Sequence, residues 1–360
     1  MPLLTNGRYA AIFFLCIVVP SFAGAQTLSY KLDSGTGQGL LTKDYWARQS
    51  MTTEAKAMTG YADSQVKAKA EVFGTDVFLE KRQQSVLHAT QNVMALAANN
   101  ELNLGQLSNG AYPLAAEMRK FEYTAVGVTW GNLQSSSDLQ WSWSPKVVRI
   151  NQFKLNQGDG QIKLASNTAQ LQANIYSQGQ QTFGFDPFAK QPYMGYGYSN
   201  DASLSYKKDD WSVHWTGMNI FSSIEVNGLF FSQKNYQVNQ ANGKITSSDI
   251  PSLTGSYGQV KQKLKLPVIN EIKLSHAGAQ SAWRQELGAV IILDNLISWA
   301  ATAYQWRDYS VQTKTFNLQN LRLTVAKQNF MLPRLSLEVM METAFQDKPQ
   351  AGVTSLVYRF

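Results

Sequence analysis

Three histidines, and the acids and serine beside two of them, are the residues of this chain that could move protons. A hydrolase of the serine or carboxylate kind needs a histidine within reach of its partner, because the imidazole takes or relays the proton. His276 follows Ser275 in KLSHAG. Neighbours in an extended strand point to opposite faces, so this pair is badly placed to react. His214 follows Asp209 and Asp210 in KKDDWSVHW, where the acids suit a solvated turn better than a shared proton. His88 has no partner at metal-ligand spacing, and the chain holds no HExxH, no GxSxG and no phosphate-binding glycine loop. The single cysteine, Cys16, lies in the opening apolar run. A chain that loses that run has no thiol for a disulfide, a zinc site or an iron–sulfur centre. The expectation is a protein without a catalytic residue, metal or cofactor.

A second kind of chemistry is ionic. In GQVKQKLKLP, Val260, Gln262, Leu264 and Leu266 share one face of a strand, and Lys261, Lys263 and Lys265 share the other. If the leucines face lipid, the three ammonium groups face a lumen, where a row of cations favours anions. Lys273 and Arg322 lie on strands of similar character and join the set of pore-lining candidates. The competing reading puts the lysines on a strand extension above the membrane, solvated or paired with lipopolysaccharide phosphate. A carboxylate ladder on the neighbouring strand would also cancel the effect.

The elements that must carry these residues read as strands. Leu335, Leu337, Val339 and Met341 alternate with Ser336, Glu338 and Glu342, and Leu321, Leu323 and Val325 repeat the pattern. ASLSYKKDDWSVHW reads as a hairpin turning at Lys207 to Asp210, and IILDNLISWAATAYQW as another turning at Asp294-Asn295. Pro349 and Gly352 separate the last two strands. Charged residues are 16% of the 360 and aromatics 12%, with 44% hydrophobic. About 25% charged is usual for a soluble domain. Mean hydropathy is −0.26, and no stretch beyond the opening run reaches the length of a membrane helix. An antiparallel transmembrane β-barrel accounts for this, with an apolar exterior and polar lumen alternating along each strand. About 12 strands, within 10 to 14, fit the chain, and an even number leaves both ends on one side. Trp130, Trp141, Trp143, Trp211, Trp215, Trp299 and Trp306 lie in or near these strands, as girdle residues do.

Residues 1–25 have the layout of a secretory signal peptide: Arg8, an apolar run of about half a membrane span, Pro20, then Ala23-Gly24-Ala25 before Gln26. The chain closes on GVTSLVYRF, in which Leu356, Tyr358 and Phe360 share a face. A terminal phenylalanine with an aromatic two residues before it resembles the C-terminal signature of bacterial outer-membrane β-barrel proteins. The resemblance implies that Leu356, Tyr358 and Phe360 form the signal read by the barrel-assembly machinery. It also implies a bacterial outer-membrane location among lipid and lipopolysaccharide. It does not carry a function.

Residues 26–119 form an N-terminal segment with early strands, and 120–360 the main barrel. Ala47, Met51, Ala55 and Met58, and then Val86, Thr90, Val93, Met94 and Ala97, fall at helical spacing, whereas Val66, Ala68, Ala70 and Val72 alternate. The segment is expected to carry a short helical plug or periplasmic element. The net charge of +7, and a pI near 9.2, suits small anions or lipid phosphate. Nucleic acid is not expected as a partner of an exported chain without a nucleic-acid motif. The expected function is an outer-membrane channel or transporter for small polar solutes with an anion preference. A non-conducting scaffold that anchors a secretion, conjugation or export machine is the alternative, and a barrel enzyme acting on lipid comes third.

Overall fold

The computed structural model describes residues 27–36, 51–72, 75–98, 102–103, 107–132, 137–165, 168–179, 194–240, 244–245, 252–278, 282–292, 295–316, 320–328, 335–344 and 350–359. The signal-peptide segment, the stretch 37–50, the Asp294 turn residue and Phe360 lie outside them.

The early strands are β1 (Thr27–Thr36), β2 (Ala57–Val72) and β3 (Thr75–Thr90), followed by a helix α1 (Gln91–Ala98) and the two-residue β4 (Leu102–Asn103). Longer strands come next: β5 (Gly110–Gly131), β6 (Leu139–Ala165), β7 (Thr168–Gly179), β8 (Met194–Lys208) and β9 (Trp211–Gln240). After β10 (Lys244–Ile245) come β11 (Ser252–Leu264), β12 (Ile269–His276), β13 (Trp283–Ile292), β14 (Asn295–Trp306), β15 (Tyr309–Phe316), β16 (Asn320–Lys327), β17 (Leu335–Ala344) and β18 (Gln350–Arg359).

Every pairing is antiparallel, and the pairs close on themselves. From β9 the wall runs through β12 to β18, then β1, β2, β3, β5, β6 and β8, and returns to β9. That circuit has fourteen strands, the upper limit expected from the sequence. β1 and β18 seal it, with Tyr30 opposite Leu356 and Leu28 opposite Tyr358. Closure leaves no open edge in the ring itself, which is the condition for β-structure in lipid, whereas β11 stands beyond it with β9 as its one partner among the described residues. β7 and β8 act as one descending strand between β6 and β9, as do β11 and β12 beside β9.

Alternation along each strand sorts residues by environment. On β6, Leu139, Trp141, Trp143 and Val147 are exposed, whereas Ser144, Lys146, Val148 and Ile150 are buried. Exposed apolar side chains continue round the exterior through Tyr198, Phe221, Ile272, Leu287, Val311 and Val325. Lipid solvates such a surface; water does not. Aromatic contacts gather near the short turns at the end where β1 begins and β18 finishes. Trp130 meets Trp143 at 5.3 Å, Trp283 meets Tyr304 at 4.7 Å, and Trp306 meets Tyr309 at 6.0 Å.

Two expectations need correction here. The boundary at residue 119 falls inside β5, and β1 to β3 belong to the same ring as the later strands. The helical spacing after Val86 divides at Thr90: β3 runs to that residue, and only Gln91–Ala98 is helical. β3 alternates because Glu80, Arg82, Gln84 and Val86 all point inward to buried partners, and that pairing outweighs local propensity. Residues 51–56 are not helical.

Candidate functional site in the barrel lumen

The inward face carries charges that no single strand reveals. Arg82 on β3 holds Asp63 on β2 through both carboxylate oxygens, with Nε donating to Oδ1 at 2.6 Å and Nη2 to Oδ2. Lys146 on β6 donates to Glu80 Oε1 at 2.8 Å and to Asp201 Oδ2, on β8, at 2.7 Å. Gln65 Nε2 donates to the other Glu80 oxygen at 2.6 Å. Arg82, Lys146, Asp63 and Glu80 are all buried. Charges this buried persist only when paired and hydrogen-bonded, and here each has its counter-ion. Gly127 lets Lys146 reach past β5: it lies between Phe78 and Lys146 in register, and a Cβ there would sit 2.5 Å from the Phe78 ring.

A bulge in β9 brings that strand into this layer. Ala202 pairs with Gly217 and Asn200 with Phe221, so residues 218–220 face Asp201 alone. Asn219 takes φ 54°, a left-handed conformation that asparagine tolerates better than most residues. Its backbone N–H donates to Asp201 Oδ1 at 2.8 Å, and its Oδ1 accepts from Ser199 at 2.9 Å. Its Nδ2 donates to Gln84 Oε1 at 2.9 Å and to the Pro267 carbonyl at 3.1 Å. Gln84 stands on β3, four strand steps from β9, or about 19 Å along the wall. Four steps are little more than a quarter of the ring, so a direct hydrogen bond between them cuts across part of the lumen as a chord, and Arg82 also contacts Met218 Sδ. Bulges re-aim side chains, and this one turns Asn219 into a bar across that part of the lumen.

Beside the charged layer lies an apolar one. Phe121, Tyr123, Ala125, Val148, Ile150, Phe153, Ile224, Val226, Leu229, Leu264 and Leu266 form one buried cluster. The Tyr123 hydroxyl and Gln84 Nε2 are buried without a hydrogen-bond partner, so the lumen keeps polar capacity unused by the protein.

These placements correct part of the ionic expectation. Leu264 and Leu266 point into the inward cluster, whereas Lys261, Lys263 and Lys265 are exposed on the outer face. Lys261 pairs there with Glu225. The three lysines do not line the lumen. The reason is the neighbouring strand: Ile224 and Val226 of β9 supply the apolar surface that draws the leucines inward. Lys273 lies on the inward face, 3.7 Å from Glu286, which also takes Arg284 Nε at 2.9 Å and Gln312 at 2.8 Å. Arg322 is buried, in register with Lys314 on one side and Glu342 on the other.

The histidines behave as structural residues. His88 Nδ1 meets Thr59 Oγ1 at 2.7 Å, and His214 Nε2 meets Thr216 Oγ1 at 2.8 Å. His276 packs on Trp211 at 4.5 Å on the outside, while Ser275 is buried on the inside. Among the described residues, no group of three or more acids and histidines is placed to hold a metal ion.

No family model matches the chain, and no curated protein does. Among solved structures, it is similar to a TodX deletion mutant, described as a monoaromatic hydrocarbon channel. The TM-score is 0.49 at 13% identity, over 95% of this chain and 92% of that one. It is also similar to the toluene transporter TodX of P. putida, with TM-score 0.46, 13% identity and coverage of 93% and 89%. The toluene transporter TbuX of Ralstonia pickettii gives a TM-score of 0.44 at 11% identity, with coverage of 94% and 90%.

Proposed function

We propose that the protein is an outer-membrane channel for small solutes, closed in this conformation by the Asn219 bar and the ion-pair layer beneath it. The observation that carries the reading is the hydrogen bond from Asn219 on β9 to Gln84 on β3, a chord across part of the lumen of a closed barrel with an apolar exterior. A static scaffold has no use for an inward bulge held by side chains alone. Such a bar can swing, because Asn219 is held through hydrogen bonds rather than packed apolar surface. The apolar cluster next to it favours solutes with an apolar body, and the unused Tyr123 hydroxyl and Gln84 amide favour one polar group on that body. Anion selectivity is not part of this reading, because the central cations Arg82 and Lys146 are matched by Asp63, Glu80 and Asp201.

The test is paired. Wild type and Asn219→Gly are reconstituted in planar bilayers for conductance and in vesicles for uptake of a phenol and of a disaccharide. The expected result is low conductance in wild type, raised conductance in the variant, and faster entry of the phenol than of the disaccharide. A folded barrel silent in both assays, with and without the substitution, overturns the reading and leaves a scaffold.

A further inference from the structure

Above the apolar cluster the inward face of the tall strands changes character. Leu155 on β6 and Leu229 on β9 belong to that cluster, and alternation carries the same face upward across β6, β7 and β9. Register sets the next three rows. Gln157, Tyr176 and Gln233 are partners in the first, and Asp159, Asn174 and Asn235 in the second. Gln161, Gln172 and Gln237 make the third. Gln161 and Tyr176 are half-buried, and the rest are exposed. Gln157 stands 18 residues above Leu139 on β6, which at about 3.3 Å per residue and a tilt near 40° is about 45 Å. The apolar band of an outer-membrane barrel is about 25 Å tall, so the rows stand in water beyond the loop end of that band. Across the ring, β16 and β17 have only 8 and 10 residues, so that wall stops lower and this face looks out over the mouth.

The rows carry amides where a solvated face usually carries charge on about a quarter to a third of its positions. Asp159 is the one charge among the nine, and its Oδ2 accepts from Asn174 Nδ2 at 3.2 Å. The charges that flank the rows are Lys163, one row higher, and Glu117 and Arg119 on β5, which pair with each other. A nearly neutral face of this kind suits a neutral ligand. Each amide holds both donors and an acceptor, as each hydroxyl of a sugar does, and the strands set the amides about 4.8 Å apart. One aromatic platform stands at the lower border. Tyr176 stacks on Phe231 at 6.3 Å with 21° between the ring planes, and Gly258 opposite Phe231 leaves that ring its room. The negative face of an aromatic ring attracts the C–H groups on the apolar side of a sugar. The reverse of the sheet is fixed, because Ile162 and Leu171 are packed there with Ala95 of α1.

We infer that this face is a receiving site for soluble neutral glycosides, compounds in which a sugar carries an apolar aglycone. The sugar lies on the amides of Gln172, Asn174, Gln233 and Asn235, and the aglycone points down past Tyr176 and Phe231 toward the apolar cluster. The inference rests on the channel reading above and names a solute class for it. The occupant is assigned by two features of the face: near-neutrality, which fits hydroxyls better than ions, and continuity with the apolar layer below, which fits a ligand that is polar at one end only. The site concentrates such solutes at the mouth before the Asn219 bar.

The test titrates the purified protein, in lauryldimethylamine oxide so that no detergent sugar competes, with phenyl β-glucoside, phenol, methyl β-glucoside and phenyl β-glucuronide by calorimetry. Wild type is compared with Q172A/N174A/Q233A/N235A and with the single variant Y176A, each shown to be folded by heat-modifiable mobility. The expected result is tighter binding of phenyl glucoside than of phenol or methyl glucoside by wild type. That affinity falls on the order of thirtyfold in the quadruple variant and about fivefold in Y176A. Equal binding of phenyl glucoside by wild type and both variants overturns the proposal. So does a wild type that holds phenol or methyl glucoside as tightly as phenyl glucoside. Tighter binding of the glucuronide overturns it too, since the face would then be one for anions. Phenol uptake by vesicles holding wild type is scored separately, and its absence overturns the channel reading and this inference with it.

Discussion

At the scale of single residues, the lumen is held by charges that tolerate no partial removal. Arg82→Met strips Asp63 of its counter-ion and leaves a buried carboxylate, which costs about 3–5 kcal/mol. Removing both, as Asp63→Asn with Arg82→Met, costs less than the two single changes summed, because no lone charge remains. Urea unfolding of the detergent-refolded barrel, followed by tryptophan emission, measures both. Gly288 is a second sensitive point. A Cβ there would lie 2.4 Å from the Trp299 ring, so Gly288→Val must displace an indole that also carries Lys314 at 3.8 Å. The expected loss is about 1–3 kcal/mol, with a shift in tryptophan emission. None of these partners is legible in the sequence. Asn219 and Gln84 are separated by 135 positions, and Lys146 and Glu80 by 66. Local spacing reports on a strand's own faces, whereas the site is made by the circuit of strands between them.

Elements were easier to read, within a limit set by symmetry. The hairpin at Lys207 to Asp210 is present, with Lys208 opposite Trp211 and Asp209 at φ 51°, and Ile292 stands opposite Asn295 at the second. Strand existence follows from period-two alternation, but alternation divides a strand into two faces without saying which one meets lipid. Lys263 and Leu264 fit either arrangement until Ile224 and Val226 on β9 decide it. The helical reading of residues 43 to 100 holds for Gln91–Ala98 and not for the residues up to Thr90, since spaced alanines and valines satisfy both periods and only the pairing of β2 with β3 selects one. α1 shows how a short helix is kept. The buried Asn92 side chain accepts from the Thr52 N–H at 2.8 Å and donates to the Thr52 and Pro113 carbonyls at 2.8 and 2.9 Å, tying residues 51–53 to β5. Asn92→Leu leaves those backbone groups unpaired at about 1–3 kcal/mol. The expected sign is protease cleavage near residues 52–56 in intact cells, with the strands of the barrel protected.

For the whole molecule, the exterior makes the strongest physical statement, because a ring of exposed aromatics at the turn end and apolar side chains above it has one good solvent. Replacing Trp130 and Trp143, whose tilted rings meet at 5.3 Å, by serine should slow insertion into preformed vesicles several-fold while leaving the folded barrel's pairing intact, as read by heat-modifiable mobility over time. The wall is also uneven. β5, β6 and β9 are 22, 27 and 30 residues long, but β15 and β16 have 8 each. Eight tilted residues cover only about 20 Å. A bilayer wrapped round this barrel must therefore thin along one side and not the other, and the protein acts as a wedge-shaped gauge of membrane thickness: vesicles of short-chain lipid should accept it quickly, and long-chain ones slowly, with the strain gathered beside β15 and β16.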